Sequence, residues 1–393
     1  MQRYGAEVAG GAEQHCRQFA TRLAVRGHDV DVVTTRARSA GDWADAYPPG
    51  TTTLDGVTVH RLDVTEAKDE AAFDALTTRA IWGRPPPTLA VQQQWLRAQG
   101  PAIDGLAPWL AERGRSYETV VFFTYLFTTC WAGLPAAAGR VPTVLHATAH
   151  DEPYFWLPAF DTVLRLPSAY AWSTEEERDL LARRGAGRRP GMVIGVGVDP
   201  ADGADLRPFR TRVPALGDRP YLVYVGRVTA GKGALELIDS FTNYKRSRPG
   251  PLALVLVGEM GVDAPGHPDV ICTGFVDDPT RAAAMGGAVA VMLPSRYESF
   301  SMVLVEAWAQ GRPAIVQGHS DVLAGQGRRS GAGIAYHSYA EWEAAVDLLT
   351  EEPATASALG AAGRRYVETE YAWDTVLSRY ERLLDLAGHA RHS

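Results

Sequence analysis

The stretch RYESFSMVLVEAWAQGRP carries two glutamates, Glu298 and Glu306, with seven residues between them. Phe300, Val303, Leu304, Ala307 and Trp308 follow the spacing of one apolar helical face, and Met302, Val305 and Ala309 fill most of the other side. A helix apolar all round is a buried helix, so Glu306 in its middle needs a partner: alone it would cost several kcal/mol or be driven to protonate. A helix beginning near Ser301 leaves the amides of Phe300, Ser301, Met302 and Val303 as open donors at a positive dipole end, which is an anion site. Eight residues at ~1.5 Å each place the two carboxylates up to ~12 Å apart along the axis, with those amides between them. A nucleotide diphosphate sugar has that layout, with sugar hydroxyls for Glu298, a pyrophosphate for the amides and ribose hydroxyls for Glu306. The competing reading makes Glu298 a helix cap and pairs Glu306 with an arginine.

VGRVTAGKG, residues 225–233, supplies the cations such a ligand needs. Lysine occurs only at positions 68, 232 and 245 among 39 basic residues, so Lys232 between Gly231 and Gly233 is an unusual choice. Arg227 offers a fork and Lys232 a point charge, while the glycines allow close approach of a phosphate; a solvated turn would use the same residues. No Ser or Thr follows the lysine, which excludes a Walker A loop. In TGFVDD the backbone of Phe275 and Val276 is placed to read a base with the Phe275 ring packed on it, or else Phe275 is a core residue of an edge loop. HATAHDEP, residues 146–153, sets His150, with Asp151 and Glu152, at a strand end, where it serves acid/base work, sugar hydroxyls or structure alone. GGAE, residues 10–13, puts Gly11 at a helix start that suits a diphosphate, an acceptor or a plain tight turn. Neither HExxH nor CxxC occurs, so a tightly held catalytic metal is not indicated.

The bulk composition narrows the class. A chain of 393 residues with 46% hydrophobic content exceeds the ~250–300 residues at which one core stops growing, so two domains with a site in the cleft between them are expected. The formal charge of −7 argues against nucleic acid as a partner. Three widely spaced cysteines, Cys16, Cys130 and Cys272, fit a reducing compartment, and no signal peptide or membrane-spanning run is read. The cytoplasm is the expected location, with peripheral contact at the inner membrane face left open.

The elements that must position these residues alternate. Residues 1–199 read as an α/β domain with strands near 30–34, 57–62, 119–123, 141–147 and 192–198, and it lacks a strand before its first helix. Residues 200–220 read as a linker rich in Pro, Gly and Asp. From 221 to 370 a cleaner βα alternation implies a doubly wound parallel sheet, whose ligands bind at the carboxyl ends of its strands. The remaining segment, 371–393, is helical.

GGAE with LAVRGHDVDVVTT, TAHDEP, VIGVGVD, YVGRVTAGKG, ESFSMVLVEAWAQGRP and the GAGIAYHS turn together resemble the family 4 retaining glycosyltransferases of the GT-B fold, within glycosyl transferases group 1. The resemblance implies two facing Rossmann-like domains, a donor held mostly by the second, and a final helix crossing back to the first. It implies a hexosyl- or pentosyltransferase moving sugar from a UDP- or GDP-linked donor, with retention, no cofactor and no obligatory metal. The acceptor would be a hydroxyl of a small molecule, glycan or lipid. By position Arg227 and Lys232 resemble the pair on the donor diphosphate, Glu298 the residue on sugar hydroxyls and Glu306 the ribose ligand. His150 resembles the first-domain histidine near the transferred sugar, and Gly11 lies in the loop near phosphate and acceptor. The chain departs from the family in that first strand, in Gly195-Val196-Gly197 for the usual Pro-Asn-Gly, and in Ser301 where a glycine usually follows the phenylalanine. Same-face displacement is the expected mechanism, because no carboxylate is placed as a nucleophile. A sugar-nucleotide epimerase on the same scaffold and an inactive partner subunit are the rival readings.

Overall fold

A computed structural model describes residues 1–8, 10–186, 189–201, 205–263 and 266–389. The chain divides into two compact units, Met1–Gly195 with Leu377–Ser393, and Val196–Val376.

The second unit holds one six-stranded sheet made of β8 (Tyr221–Val225), β9 (Ala253–Val257), β10 (Val270–Gly274), β11 (Ala290–Leu293), β12 (Ala314–Gln317) and β13 (Gly333–Tyr336). Its order is β10-β9-β8-β11-β12-β13 and every pairing is parallel. All five residues of β9 and all four of β11 and β12 are buried, which is why these strands read as unbroken apolar runs rather than as alternations. The order reverses between β8 and β11. In a doubly wound sheet that reversal opens a crevice at the carboxyl ends of the two strands, since their following helices leave on opposite faces.

The helix Met302–Ala309 lies in the core of this unit, with Leu304, Val305, Ala307, Trp308 and Ala309 buried and Met302, Val303 and Glu306 half-buried. The Trp308 indole donates to the Ala332 carbonyl at 3.2 Å and meets Tyr366 edge-on, so its one polar atom is satisfied where the ring is fully enclosed. Residues 205–220 do not form an extended linker. Arg207–Arg212 is a helix and Pro214–Leu216 a short turn, and Phe209 and Leu216 are buried; residues 202–204 lie outside the described residues. Apolar Phe209 and Leu216, seven residues apart in a Pro-rich run, supply the anchoring that composition alone concealed. The final helix spans Trp373–His389 and from Leu377 belongs to the first unit; residues 390–393 of the expected helical end lie outside the described residues.

The first unit contains two sheets. One joins β1 (Asp31–Thr35), β2 (Gly50–Leu54) and β3 (Val57–Leu62) in the order β1-β3-β2, with β1 and β3 parallel and β2 antiparallel. The other is a parallel set of β4 (Val120–Phe123), β5 (Thr143–His146), β6 (Ala169–Trp172) and β7 (Gly191–Val193). Among the described residues none before the helix Gly11–Val25 forms a strand, in agreement with the sequence reading. A single Rossmann-like sheet would be continuous through that position, and here it is divided.

Candidate functional site

The site of the second unit is built where its strand order reverses. After β8 the chain turns at Gly226, with φ 146°, and the Tyr224 hydroxyl donates to the Arg227 carbonyl at 2.7 Å. Arg227 is exposed and, among the described residues, forms no ion pair. The turn then runs to Gly233, whose φ of 72° is a left-handed conformation that costs a side-chain-bearing residue ~1–2 kcal/mol. Space forbids one as well: a Cβ there would lie 2.4 Å from the Pro294 carbonyl oxygen. The glycine thus lets the loop after β8 touch the loop after β11 backbone to backbone.

That approach sets Lys232 against Glu298. Lys232 Nζ donates to Glu298 Oε1 at 3.0 Å, with the ammonium 40% and the carboxylate 17% exposed. Next to the pair, Ser301 takes φ 68° and stands at the N-cap of the helix Met302–Ala309 without making a side-chain cap. The first turn bond is Leu304 to the Ser301 carbonyl at 3.2 Å, so the amides of Met302 and Val303 stand at the helix's open positive end. Phe300 is buried and meets Tyr371 edge-on at 5.1 Å. Its carbonyl accepts from Gln326, which is fully buried and in turn accepts from the Tyr371 hydroxyl at 3.4 Å.

Glu306 has a partner. Arg281, on the helix Asp278–Gly286, donates to Glu306 Oε2 at 2.5 Å and also pairs with Asp278 at 3.1 Å. The arginine pairing that the sequence offered as the competing reading is present in the structure. The sequence hid it because Arg281 lies twenty-five residues upstream, on a helix that packs beside this one. Burial still pushes the Glu306 carboxyl above its usual range, against the pull of Arg281. Glu298 likewise is no helix cap, since it faces Lys232. Phe275 is 77% exposed with Val276 half-buried beside it, so its ring is not a core ring. The loop that carries both leads directly into the Arg281 helix.

In the first unit, His150 follows β5 and is half-buried, with Nδ1 3.3 Å from Glu152 Oε1. Asp151 is occupied by Arg183 at 2.9 Å and the Trp156 indole at 2.8 Å. The residue that sequence reasoning missed is Glu177, 1% exposed. One of its oxygens accepts from the Ala149 amide and the other from the Ser173 amide, both at 2.6 Å. It thereby ties the His150 loop to the end of β6. Burial raises its carboxyl, with these amides and His150 pulling the other way. The signal was present in STEEE: Thr174 caps the helix Glu175–Arg183 by accepting from the Glu177 amide at 3.2 Å, the first half of a capping box. Only the fold reveals that the Glu177 side chain reaches Ala149. Gly11 begins its helix exposed, with no atom within 4 Å of where a Cβ would be. Its neighbour Glu13 is buried against Arg3 at 2.6 Å.

Four residues before His150, His146 ends β5 fully buried, with neither ring nitrogen partnered among the described residues. It stacks on Phe123 at 4.4 Å and stands 5.0 Å from His15. Burial lowers the His15 imidazole to about 3 and that of His146 well below its ordinary value.

Two cations and a carboxylate stand at the switch point beside an uncapped helix start, groups whose chemistry suits an anion joined to a polyol. Residues 219–352 match the family described as glycosyl transferases group 1. The matched stretch lies within the second unit, and the chain is a glycosyltransferase. Along 95% of its length the transferase is 28% identical to a protein named glycogen synthase from Mycobacterium tuberculosis, covering 90% of that relative. It is 27% identical to a D-inositol 3-phosphate glycosyltransferase from Kineococcus radiotolerans, over 92% of this chain and 87% of the relative. Its fold is that of sucrose-phosphate synthase from Thermosynechococcus elongatus, with TM-score 0.69 and 19% identity over 99% of this chain and 96% of that one. Anabaena HepE, solved in complex with UDP, has TM-score 0.69 and 16% identity over 97% of the transferase and 98% of its own chain. These are two-domain GT-B folds, each domain Rossmann-like, and no helix among the transferase's described residues is long and apolar enough to cross a membrane.

Proposed function

We propose that this transferase moves a hexosyl or pentosyl group from a UDP- or GDP-linked donor to an acceptor hydroxyl, with retention of anomeric configuration. The observation that carries the reading is the Lys232–Glu298 pair at 3.0 Å, set at the strand-order reversal beside the open amides of Met302 and Val303. In this reading the donor separates the pair: the ammonium moves to the diphosphate with Arg227, and the carboxylate accepts from sugar hydroxyls. Phe275 and Val276 receive the base, and Glu306, held by Arg281, accepts from the ribose through its other lone pairs. Phe300 and Ser301 set the loop that aims the helix amides.

The bond from anomeric carbon to phosphate oxygen breaks as the acceptor oxygen bonds to that carbon on the same face. The acceptor proton passes to the departing phosphate oxygen. Arg227, Lys232 and the helix amides stabilise the charge that grows there, a kind of preorganised stabilisation that removal of one donor weakens by ~2.7–4 kcal/mol. His150 and Gly11, from the first unit, are assigned to the sugar and to the phosphate and acceptor. No obligatory metal enters this scheme. A cytoplasmic setting with peripheral membrane contact suits an acceptor of lipid type. Relatives named for glycogen and inositol phosphate chemistry, and HepE with UDP-glucose, support a hydroxyl acceptor and a uridine donor.

Thermal-shift screening of UDP and GDP sugars, followed by NMR of the anomeric proton of the product, tests it. A stabilising nucleotide sugar and an axial-to-axial or equatorial-to-equatorial outcome are expected. Full turnover in an Arg227→Ala, Lys232→Ala double variant, or an inverted product, overturns it.

A further inference from the structure

In the first unit the helix Glu70–Trp82 and the helix Leu89–Gln99 fold back on each other as a hairpin. Phe73 stacks on Trp95 with ring centres 6.1 Å apart, and the Trp95 indole donates to the Thr77 hydroxyl at 2.9 Å. Gln92, 4% exposed, ties down the connection: its Nε2 donates to the Pro87 carbonyl at 3.1 Å and its Oε1 accepts from the Ala159 amide at 3.0 Å. With Phe73 and Thr77 both set against Trp95, the last residue of one helix and the first of the other share one end of the hairpin. Those residues are Trp82 and Leu89, and they face water, 67% and 50% exposed. Pro85 and Pro86 between them are exposed as well. Arg79 and Arg84 stand on either side of Trp82, both exposed, and no carboxylate occurs between Asp74 and Asp104 in a chain whose formal charge is −7.

We infer that this hairpin end is a docking surface for an anionic lipid bilayer. A single exposed apolar side chain is ordinary, and the combination is what selects the partner. An indole with guanidinium groups beside it matches the membrane–water boundary, where the ring sits at headgroup depth and arginine meets phosphate through its fork. Charge selects the place of contact. A negative leaflet repels a chain of net negative charge, and a stretch without carboxylates that carries arginine is where the chain approaches it. Size selects a bilayer over a folded partner, because two helix ends and the short connection between them fall well short of the ~800 Å² per partner that a stable protein interface buries. Such a contact is reversible, since it inserts a tip and spans nothing. It would rest the unit that carries His150 on a leaflet able to present a lipid-borne hydroxyl. The inference deepens the lipid-acceptor arm of the proposed function, and vesicle binding reads it without donor or turnover, so either can fail alone.

The test floats the full chain with vesicles of phosphatidylcholine alone and of phosphatidylcholine mixed equally with phosphatidylglycerol. Binding to the mixed vesicles only is expected, and it should be lost in ~1 M salt, where the screening length falls to ~3 Å. Arg79→Gln and Arg84→Gln should each weaken binding about fivefold, while Arg97→Gln, near the far end of the helix Leu89–Gln99, should leave it unchanged. Trp82→Ser with Leu89→Ser should weaken it ~10-fold or more at an unaltered Tm, because neither side chain is enclosed. Lipids brominated on their acyl chains should quench the part of the emission that Trp82→Phe removes, and this conservative variant keeps the test decisive if the serine pair fails to fold. Absence of flotation with both vesicles would overturn the inference. Equal binding by the wild type and every hairpin variant, or equal binding to neutral and anionic vesicles, would overturn it too.

Discussion

Lys232 and Glu298 meet at 3.0 Å although sixty-six residues separate them, because one follows β8 and the other β11, the two strands between which the sheet order turns back. The lysine side chain stays 40% exposed, and an ion pair open to water on one side contributes only ~0–1 kcal/mol to folding. Their proximity serves binding, and the two should separate under mutation. Lys232→Ala is expected to weaken binding of a nucleoside diphosphate ~10- to 100-fold, the loss of a charge-assisted hydrogen bond of ~1.5–3 kcal/mol. Glu298→Gln should bind the same diphosphate no worse, since the lysine is released, while turnover of the nucleotide sugar falls. Calorimetry with the diphosphate and a product assay decide it.

Arg281 and Glu306 form the more enclosed pair, and removing one partner strands the other. Arg281→Leu is expected to lower Tm more than the Arg281→Leu, Glu306→Leu double variant, because single loss from a buried pair costs ~3–5 kcal/mol and joint replacement much less. Glu306→Gln distinguishes roles. If the carboxylate also meets a ribose, nucleoside diphosphate affinity falls several-fold while the corresponding inorganic pyrophosphate affinity stays put; a purely structural residue changes Tm alone.

Glu177 is a positioning residue for the His150 loop. Glu177→Gln turns one oxygen into a donor facing a donor, at a cost of ~1–3 kcal/mol for the amide left unsatisfied. Reduced kcat with little change in donor KM is expected from steady-state kinetics, together with a lower Tm. An unchanged kcat at temperatures where the variant is folded would leave Glu177 a structural residue only.

His15 and His146 make the first unit sensitive to acid. Their folded-state pKa values are lowered by burial, so below ~6.5 the unfolded chain binds protons that the folded chain refuses. Stability is complete above that pH and falls as pH drops from ~6.5 towards the folded values, by up to ~1.4 kcal/mol per pH unit per histidine. Replacing His146 with Leu should flatten Tm against pH between about 6.5 and 4.5. Denaturant melts at several pH values measure the slope.

Ser301 occupies a left-handed conformation, φ 68°, which costs a non-glycine residue ~1–2 kcal/mol. Ser301→Gly is expected to raise Tm by a few degrees, read by calorimetry, and a fall would mean that the serine makes up the cost through its hydroxyl.

Much of the second unit was legible because its central strands are buried on both faces and read as uninterrupted apolar runs, and because Arg227 and Lys232 sit beside glycines in the loop after a strand. Local signals stopped where partners came from another element. Arg281 on Glu306 and Glu177 on the Ala149 amide are tertiary contacts with no spacing rule, and the polar composition of 205–220 masked a short helix anchored by Phe209. In the first unit β6, AYAW, was not legible, since four residues are too few to show a clear period.

The contacts around Gly226, Gly233 and Gly258 carry a consequence for how this loop tolerates change. A methyl on Gly258 would come within 2.1 Å of the Gly226 carbonyl oxygen, and one on Gly233 within 2.4 Å of that of Pro294, yet one on Gly231 would meet nothing within 4 Å. Backbone carbonyls cannot swing aside as a side chain does. A saturation library across the loops after β8 and β9 should therefore return a comb, with position 231 accepting almost any residue while positions 233 and 258 admit none but the smallest.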